Sequence, residues 1–155
     1  MSAPRDLDVL VISTGAANLA SVFAAMARLG ARPRLVETPE EVTAADAVIL
    51  PGVGAFGPAM TRLRKSGLGE AIVARIESGA PTLAICLGMQ LLCSGSDEAP
   101  ETPGLDVVSG RLRRFPNSVR TPQMGWNEVA PEPASELVAP GHAYFANSYR
   151  LSEAP

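Results

Sequence analysis

Short apolar runs alternate with helical patterns through the first part of the chain, and this alternation restricts the fold more than any other feature. The run LDVLVIS, from Leu7 to Ser13, is rich in β-branched residues and is broken by Thr14 and Gly15, as a buried parallel strand is. Apolar residues at spacings of three and four then extend from Leu19 to Leu29, and Gly30 follows. This spacing predicts an amphipathic helix that ends at the glycine.

The same rhythm continues to the middle of the chain. Further strands are predicted in RPRLVE, DAVIL and TLAI, and further helices at Ala59 to Arg64 and at Glu70 to Glu77. Between RPRLVE and DAVIL, Pro39 and the acidic residues after it predict a turn. Because strands that alternate with helices pair in parallel, we predict an α/β protein with a mainly parallel open sheet and helices on both faces.

The pattern changes after Cys93. The segment SGSDEAPETPG is polar and rich in proline and glycine, which predicts a surface loop. Beyond it, LDVVSGRLRRF, MGWNEV and HAYFANSY alternate or carry aromatic residues, with no helical pattern between them. These segments predict an antiparallel extension of the sheet.

Length and composition exclude several classes of protein. A chain of 155 residues is expected to form a single domain, residues 1–155, and its 46% hydrophobic and 19% charged residues suit a globular fold with its own core. The net charge of -3 provides no basic field for nucleic acid. The chain has no leader pattern and no apolar run of about 18 residues, so we expect a cytoplasmic protein that does not enter membranes.

Cys86 follows the predicted strand TLAI, with Ala84 two residues before it and Gly88 two residues after it. Small residues at these positions let a strand and a helix approach closely, so the pattern resembles a nucleophile elbow, in which a strained turn exposes a reactive side chain. A helix that starts near Leu87 would favour the thiolate. The alternative is a small buried hydrophobe, as most free cysteines are. Position favours a functional cysteine, because ligands bind at the carboxyl ends of strands in open α/β sheets.

Cys93 has no such setting and is predicted to lie in the core. It is seven residues from Cys86 in what is predicted to be one helix, a separation of roughly 10 Å that excludes a disulfide. Two cysteines and one histidine give no zinc framework, so no metal is expected.

The segment PGVGAF, Pro51 to Phe56, also follows a predicted strand. Two glycines within three residues allow positive φ and let a backbone N–H turn toward a developing oxyanion, although a simple tight turn would look the same. The segment GAANLASV lies where a dinucleotide fingerprint would, but its single glycine excludes that fingerprint.

Two further groups of residues are predicted to lie at the surface. Alternation sends Arg111 and Arg113 to one side of a strand and Arg114 to the other, which predicts a solvated strand face with no site. His142 lies next to glycine and proline in a predicted turn, which favours a surface histidine.

Five motifs resemble one family. The segments NLASV, LPGVGAF, ICLGMQLL, PQMGWN and YFANSY occur in family order across nearly the whole chain. They resemble the glutamine amidotransferase subunit of imidazole glycerol phosphate synthase, which serves histidine biosynthesis. The motif ICLGMQ is common to class I glutaminases, whereas LPGVGAF and QMGWN are specific to this subunit. The resemblance implies the class I glutamine amidotransferase fold, which is flavodoxin-like.

The resemblance also implies roles for individual residues. Cys86 would attack the side-chain amide of glutamine, form a glutamyl thioester and release ammonia, with no metal or organic cofactor. The oxyanion hole would comprise Val53, Gly54 and Leu87. The loop of Val53 and Gly54 would change conformation before the oxyanion hole is competent. Glutamine would be bound by Gly52, Gln90, Ser148 and Tyr149.

A protein partner is implied as well. Ammonia would pass to a separate (β/α)₈-barrel cyclase subunit of the synthase. The partner interface would comprise Gln123, Trp126, Asn127 and Tyr144.

The chain departs from the family pattern in three places. The opening DYGxGNL is replaced by STGAANL, from Ser13 to Leu19, and the frequent histidine of YFVHSY is replaced by Asn147. These changes concern partner coupling and glutamine affinity more than the fold. The family continues to a His-Pro-Glu segment with the general base, whereas this sequence ends at Pro155, so we expect a C-terminally truncated domain with little glutaminase activity of its own.

Two other functions fit parts of the pattern. A non-catalytic binding subunit, or an inactive fragment of the same family, would keep the pocket and the partner surface without the chemistry. A different cysteine-elbow hydrolase would explain Cys86, but it leaves LPGVGAF and QMGWN unexplained.

Overall fold

The computed structural model describes residues 7–15, 18–36, 38–132 and 135–152. Parts of three predicted features lie outside these residues: the beginning of the chain up to Asp6, Ala16 and Ala17 in the first loop, and Glu37 at the end of RPRLVE.

The described elements alternate first and then become strands only. In chain order they are β1 (Asp8–Val11), α1 (Leu19–Arg28), β2 (Arg32–Leu35), α2 (Pro39–Ala44), β3 (Ala47–Gly52), α3 (Phe56–Lys65), α4 (Leu68–Glu77), β4 (Thr82–Cys86), α5 (Leu87–Leu91), β5 (Cys93–Ser96), β6 (Ala99–Pro103), β7 (Val108–Arg114), β8 (Gln123–Val129), β9 (Gly141–Asn147) and β10 (Tyr149–Leu151).

The first four strands form a parallel sheet in the order β2-β1-β3-β4. Side chains alternate across it, so that Val9 and Val11 face one side while Leu10 and Ile12 face the other, and all four are buried. The predicted α/β class with a parallel sheet is confirmed. Its carboxyl edge brings the ends of β3 and β4 together.

Helices cover both faces of this sheet, as predicted. On one face α1 packs against Val9, Val11 and Ile49 through four of its apolar side chains, which are Leu19, Val22, Phe23 and Met26. The opposite face carries the larger core. Each of the other four helices contributes to that core at least one apolar side chain that is at most 2% exposed, including Val42, Met60, Ile72 and Leu91.

Helix α2 replaces the turn that was predicted at Pro39, so that prediction was wrong. A reciprocal capping box begins the helix: the Thr38 hydroxyl accepts the Glu41 N–H at 3.3 Å, and the Glu41 carboxylate accepts the Thr38 N–H at 3.1 Å. Pro39 stands at the first helical position, where its fixed φ and missing N–H are harmless. Threonine followed three residues later by glutamate is the signal that could have identified the helix.

Arg75 of α4 is 2% exposed and joins two segments, the end of α2 with the connection to β3, and the start of β4. Its guanidinium donates to the carbonyl oxygens of Val42, Ala45, Asp46 and Pro81 at 2.7–3.2 Å, and its Nε donates to the hydroxyl of Thr82. Burial lowers the pKa of Arg75, while the charge of Asp46 opposes that shift. The arginine therefore supplies donors for carbonyls that would otherwise be buried without partners.

Two predictions about the segment after Cys86 were wrong. Helix α5 ends at Leu91, so Cys93 does not share it but begins β5. The segment SGSDEAPETPG, predicted as a surface loop, contains most of β5 and all of β6. These two strands contain few apolar side chains. Small residues are favoured in this segment because its backbones approach closely: a Cβ on Gly104, just after β6, would lie 1.8 Å from the carbonyl oxygen of Cys93.

The remaining strands form two further sheets. One has the order β10-β7-β5-β6, in which β5 and β7 are parallel and the other pairs antiparallel. The other is the antiparallel pair β8-β9, with register from Gln123 opposite Asn147 to Val129 opposite Gly141. The predicted antiparallel strands are thus present, in sheets of their own. In the part of the chain that the structure describes, no helix is long and apolar enough to cross a membrane.

Candidate functional site

Cys86 occupies a strained turn between β4 and α5. Its φ of 55° and ψ of -115° lie where a non-glycine residue is unfavourable, at a cost of about 1–3 kcal/mol. Its side chain is exposed, whereas the next two residues, Leu87 and Gly88, are buried. The strained, exposed turn predicted from the sequence is present, and such strain is typical of functional positions.

Close packing at Gly88 holds this turn in place. A Cβ on this residue would lie 1.8 Å from the carbonyl oxygen of Leu50, so the start of α5 packs directly on the backbone of β3. Gly52 is similarly confined, with Leu87 and the N–H of Gly88 each 3.0 Å from its ideal Cβ position. Because Gly52 is the register partner of Cys86, these glycines bring the end of β3 beside the cysteine.

A cavity of about 460 Å³ opens over Cys86. The cavity is lined by every residue predicted for the oxyanion hole. It is also lined by every residue predicted to bind substrate except Gly52. The lining comprises Val53, Gly54, Cys86, Leu87, Gln90, Glu98, Pro122, Met124, Ala146, Asn147, Ser148 and Tyr149. Residues far apart in sequence therefore meet at one site, as the motifs predicted.

Val53 and Gly54 form the loop after β3. Gly54 has φ of 96°, a conformation that glycine adopts readily, and Val53 is half exposed beside the cavity. Leu87 is buried as the first residue of α5, on the other side of Cys86. Two separate segments, the loop after β3 and the start of α5, thus line the cavity together with Cys86, and an oxyanion hole draws its backbone N–H groups from such segments.

Glu98 lines the cavity and was not predicted as a site residue. It lies in the turn between β5 and β6, and its Oε2 accepts the N–H of Phe56, the first residue of α3, at 3.0 Å. Among the described residues that line the cavity, it is the one acidic side chain. The sequence offered no local signal for it, since the contact spans 42 residues and the segment resembled a loop.

Asn147 also lines the cavity. Its side-chain NH₂ donates to the carbonyl oxygen of Tyr149 at 3.0 Å, which fixes the orientation of the amide. The other end, Oδ1, is buried and is the one such side-chain atom without a hydrogen-bond partner among the described residues. An unused acceptor therefore lies at the wall of the site, where the family pattern has a histidine.

The predicted partner residues lie on the hairpin of β8 and β9. Trp126 is 71% exposed and Tyr144 is 54% exposed, and their rings meet edge to face with centroids 5.7 Å apart. Gln123 pairs with Asn147 at the end of the hairpin next to the cavity. Asn127 is partly buried and donates to the carbonyl oxygen of Gly125. An exposed aromatic surface thus extends from the cavity along one hairpin.

The remaining candidates lie away from the cavity. His142 is exposed, as predicted, but it lies in β9 opposite Glu128, so the turn predicted for it was wrong. Cys93 is fully buried, and burial raises the pKa of its thiol. Its predicted place in the core is confirmed. Both cysteines are free thiols, and the described residues include no group of three side chains suited to a metal ion.

Comparison with known proteins gives a consistent result. A family model described as a CobB/CobQ-like glutamine amidotransferase domain matches residues 9–113. The imidazole glycerol phosphate synthase subunit HisH of Moorella thermoacetica is 45% identical over an alignment of 147 residues. The alignment covers 92% of this chain and 70% of that protein. The chloroplastic imidazole glycerol phosphate synthase hisHF of Arabidopsis thaliana is 41% identical over 96% of this chain and 26% of that protein.

A solved structure described as a glutamine amidotransferase superposes with a TM-score of 0.75. It covers 94% of this chain and 75% of its own, at 20% sequence identity. At that identity the likeness concerns the fold, and it agrees with the class predicted from the sequence.

Proposed function

The chain belongs to the HisH family of glutamine amidotransferase subunits of imidazole glycerol phosphate synthase, and from this premise we propose that Cys86 is its glutaminase nucleophile. The family function is release of ammonia from glutamine for histidine biosynthesis. One observation carries the assignment to Cys86. This exposed thiol on a strained turn lies in the same cavity as Val53, Gly54 and Leu87.

The chemistry follows from that placement. The sulfur attacks the carboxamide carbon of glutamine, and the carbonyl oxygen, now negative, accepts hydrogen bonds from the N–H groups of Val53 and Leu87. The C–N bond then breaks as the nitrogen takes the thiol proton and leaves as ammonia. Water attacks the resulting thioester, which releases glutamate and restores the thiol.

Glutamine recognition is assigned to the rim of the same cavity. Glu98, which lines the cavity, contributes the negative charge that the α-ammonium group of an amino acid requires. Ser148 and Tyr149, which line the same cavity, bind the carboxylate. Gln90, one turn along from the nucleophile, contacts the substrate side chain. This division of roles fits a substrate with an ammonium group at one end and a reactive amide at the other.

A cyclase subunit receives the ammonia. In the Arabidopsis relative, the part matched by this chain is 26% of a longer protein named hisHF. We assign the docking surface for a (β/α)₈-barrel cyclase to the face of the hairpin that carries Trp126 and Tyr144, whereas the other two residues predicted for the interface, Gln123 and Asn127, lie on the opposite face. Exposed, mutually packed aromatic rings are typical of the residues that dominate protein interfaces, and this surface is continuous with the cavity.

The test is reconstitution of the full-length protein with its cyclase, fed either glutamine or free ammonium. Cys86→Ser is expected to lower glutamine-dependent cyclase turnover by at least about 10³-fold and to leave the ammonium-dependent rate unchanged. Cys93→Ser is the matched control, because that thiol lies outside the cavity.

Two results would contradict the proposal. Equal glutamine-dependent rates for Cys86→Ser and the unmodified protein would remove Cys86 from the chemistry. Stimulation of the ammonium reaction alone, with no use of glutamine, would instead identify a non-catalytic binding subunit.

A further inference from the structure

We propose that Arg111 is a positioning residue for glutamine recognition, because it fixes the turn that carries Glu98. The inference rests on the proposed function, in which Glu98 binds the substrate ammonium group. It concerns how that carboxylate is held in the cavity, which Arg111 itself does not line.

The Arg111 guanidinium binds both sides of the turn between β5 and β6. Its Nη2 donates to the carbonyl oxygen of Ser96 at 2.8 Å and to that of Pro100 at 3.2 Å. Its Nε donates to the carboxylate of Asp97 at 3.2 Å. The arginine thus contacts Ser96 and Asp97 before Glu98 and Pro100 after it, and these bonds set the width of the turn.

The backbone around the turn is shaped to receive this side chain. Arg111 lies opposite Gly95 in the pairing of β7 with β5, and a Cβ on Gly95 would come within 2.7 Å of the arginine Nη1. The guanidinium therefore lies over bare backbone. Only about a third of the side chain is exposed, so the solvated role predicted for Arg111 was wrong.

Glu98 depends on this turn for its position. Its own N–H donates to the hydroxyl of Ser96, which is fully buried, and its carboxylate reaches the N–H of Phe56 in a different part of the fold. A carboxylate that must meet both Phe56 and a substrate has little freedom to move. Since a displacement of about 1 Å is enough to weaken such contacts, loss of the Arg111 bonds is expected to weaken ammonium recognition.

Arg113 offers a matched comparison. It lies on the same face of β7 and also donates to Asp97, at 3.2 Å, but among the described residues it does not bond to the carbonyl oxygen of Ser96 or Pro100, and it is more exposed. Arg111→Met and Arg113→Met therefore remove the same charge from the same carboxylate. Only the first removes the two bonds that bracket Glu98.

The experiment measures alkylation of Cys86 in the full-length protein by two probes. One is a chloromethyl ketone analogue of glutamine, and the other is the same ketone without its α-amino group. In each case the Cys86 sulfur forms a C–S bond to the chloromethyl carbon as chloride leaves, and intact mass spectrometry gives the rate. The ratio of the two rates reports ammonium recognition alone, because reactivity of the thiol cancels.

The unmodified protein is expected to prefer the amino probe. Glu98→Gln and Arg111→Met should each reduce that preference by about tenfold, the loss expected for a charge-assisted hydrogen bond, through slower reaction of the amino probe only. Arg113→Met should keep the preference, and Arg111→Lys should recover part of it. Arg111→Met combined with Glu98→Gln should be no worse than Glu98→Gln alone.

Other outcomes separate the two claims. If the unmodified protein shows no preference for the amino probe, or if Glu98→Gln keeps that preference in full, the proposed glutamine site itself is wrong. If Glu98→Gln loses the preference but Arg111→Met keeps it, or slows both probes equally, the positioning role of Arg111 is overturned and the proposed function stands.

Discussion

The region from β1 to α5 and the region from β5 to β10 contribute to the site in different ways. Among the described residues, every buried apolar side chain lies in the first region except Leu92, Cys93 and Leu112. The first region carries Cys86 on a junction held by close packing. The second carries Glu98, held by hydrogen bonds, and Ser148 and Tyr149, of which Tyr149 also packs against the core. In the proposed function, the chemistry therefore rests on the packed core, and glutamine recognition rests mainly on the second region.

The sharpest test of this contrast adds one methyl group at the junction that holds Cys86. Gly104 in the second region is as closely confined, so the test concerns this junction rather than each region as a whole. Gly88→Ala places a Cβ 1.8 Å from the Leu50 carbonyl oxygen, inside the packed junction of β3 and α5. We expect a loss of about 3 kcal/mol or more in the free energy of unfolding, because backbone cannot move aside as a side chain does. Urea denaturation followed by circular dichroism measures it.

Two alanine substitutions serve as controls for Gly88→Ala. Gly141→Ala in β9 meets no atom within 4 Å, and Gly57→Ala in α3 makes an ordinary contact at 3.5 Å. Both are expected to change stability by less than about 1 kcal/mol. Equal losses of stability in all three variants would show that the junction of β3 and α5 is packed no more tightly than the surroundings of Gly57 and Gly141.

A second comparison uses two arginines. Arg75→Met leaves the carbonyls of two segments without their donor inside the first region, and we expect a loss of about 3 kcal/mol in unfolding free energy. Arg113→Met, in the second region, removes a side chain that is 58% exposed and should change stability by at most about 0.5 kcal/mol. Similar denaturation midpoints for the two variants would argue against a structural role for Arg75.

The two regions also differ in how far their sequence predicts them. In the first, apolar runs with β-branched residues and three-four spacing identified four strands and most of the helices, because each element buries its own apolar face. Helix α2 was missed since Pro39 suggested a turn, although Thr38 and Glu41 carry the capping signal. The proposed nucleophile, Cys86, could be predicted because its small neighbours, Ala84 and Gly88, are local in sequence.

The second region was less predictable because the contacts that stabilise it join residues far apart in the sequence. Strands β5 and β6 are poor in apolar residues, and their place depends on Arg111 and on backbone pairing with β7. Glu98 reaches the site only through that turn. Motif resemblance identified Ser148 and Tyr149, which no pattern of hydropathy would have singled out. The single-domain organisation and the roles of the site residues stay predictions.

A third test concerns the exposed aromatic surface of the second region. Trp126→Ala is expected to weaken association with the cyclase by about 30-fold, the effect of losing a hot-spot aromatic, with little change in stability because the side chain is 71% exposed. Titration calorimetry with the cyclase measures the affinity. Leu29→Ala, which removes a side chain 69% exposed in the first region, should leave affinity unchanged.

The smallest expected effect is a dependence on pH within the turn that carries Glu98. Burial alone would raise the pKa of Asp97, but hydrogen bonds from Arg111 and Arg113 and the charge of Arg113 hold that pKa below its ordinary value. A depressed pKa means that Asp97 contributes stability above the unfolded-state value of about 4, and that this contribution is lost as pH falls through the folded-state value. Asp97→Asn should therefore have a slightly lower urea midpoint than the unmodified protein near pH 7, and the gap should close below about pH 4. A gap that persists at low pH would mean that the side chain acts by shape rather than charge, and that the turn is held by the Arg111 bonds to the backbone alone.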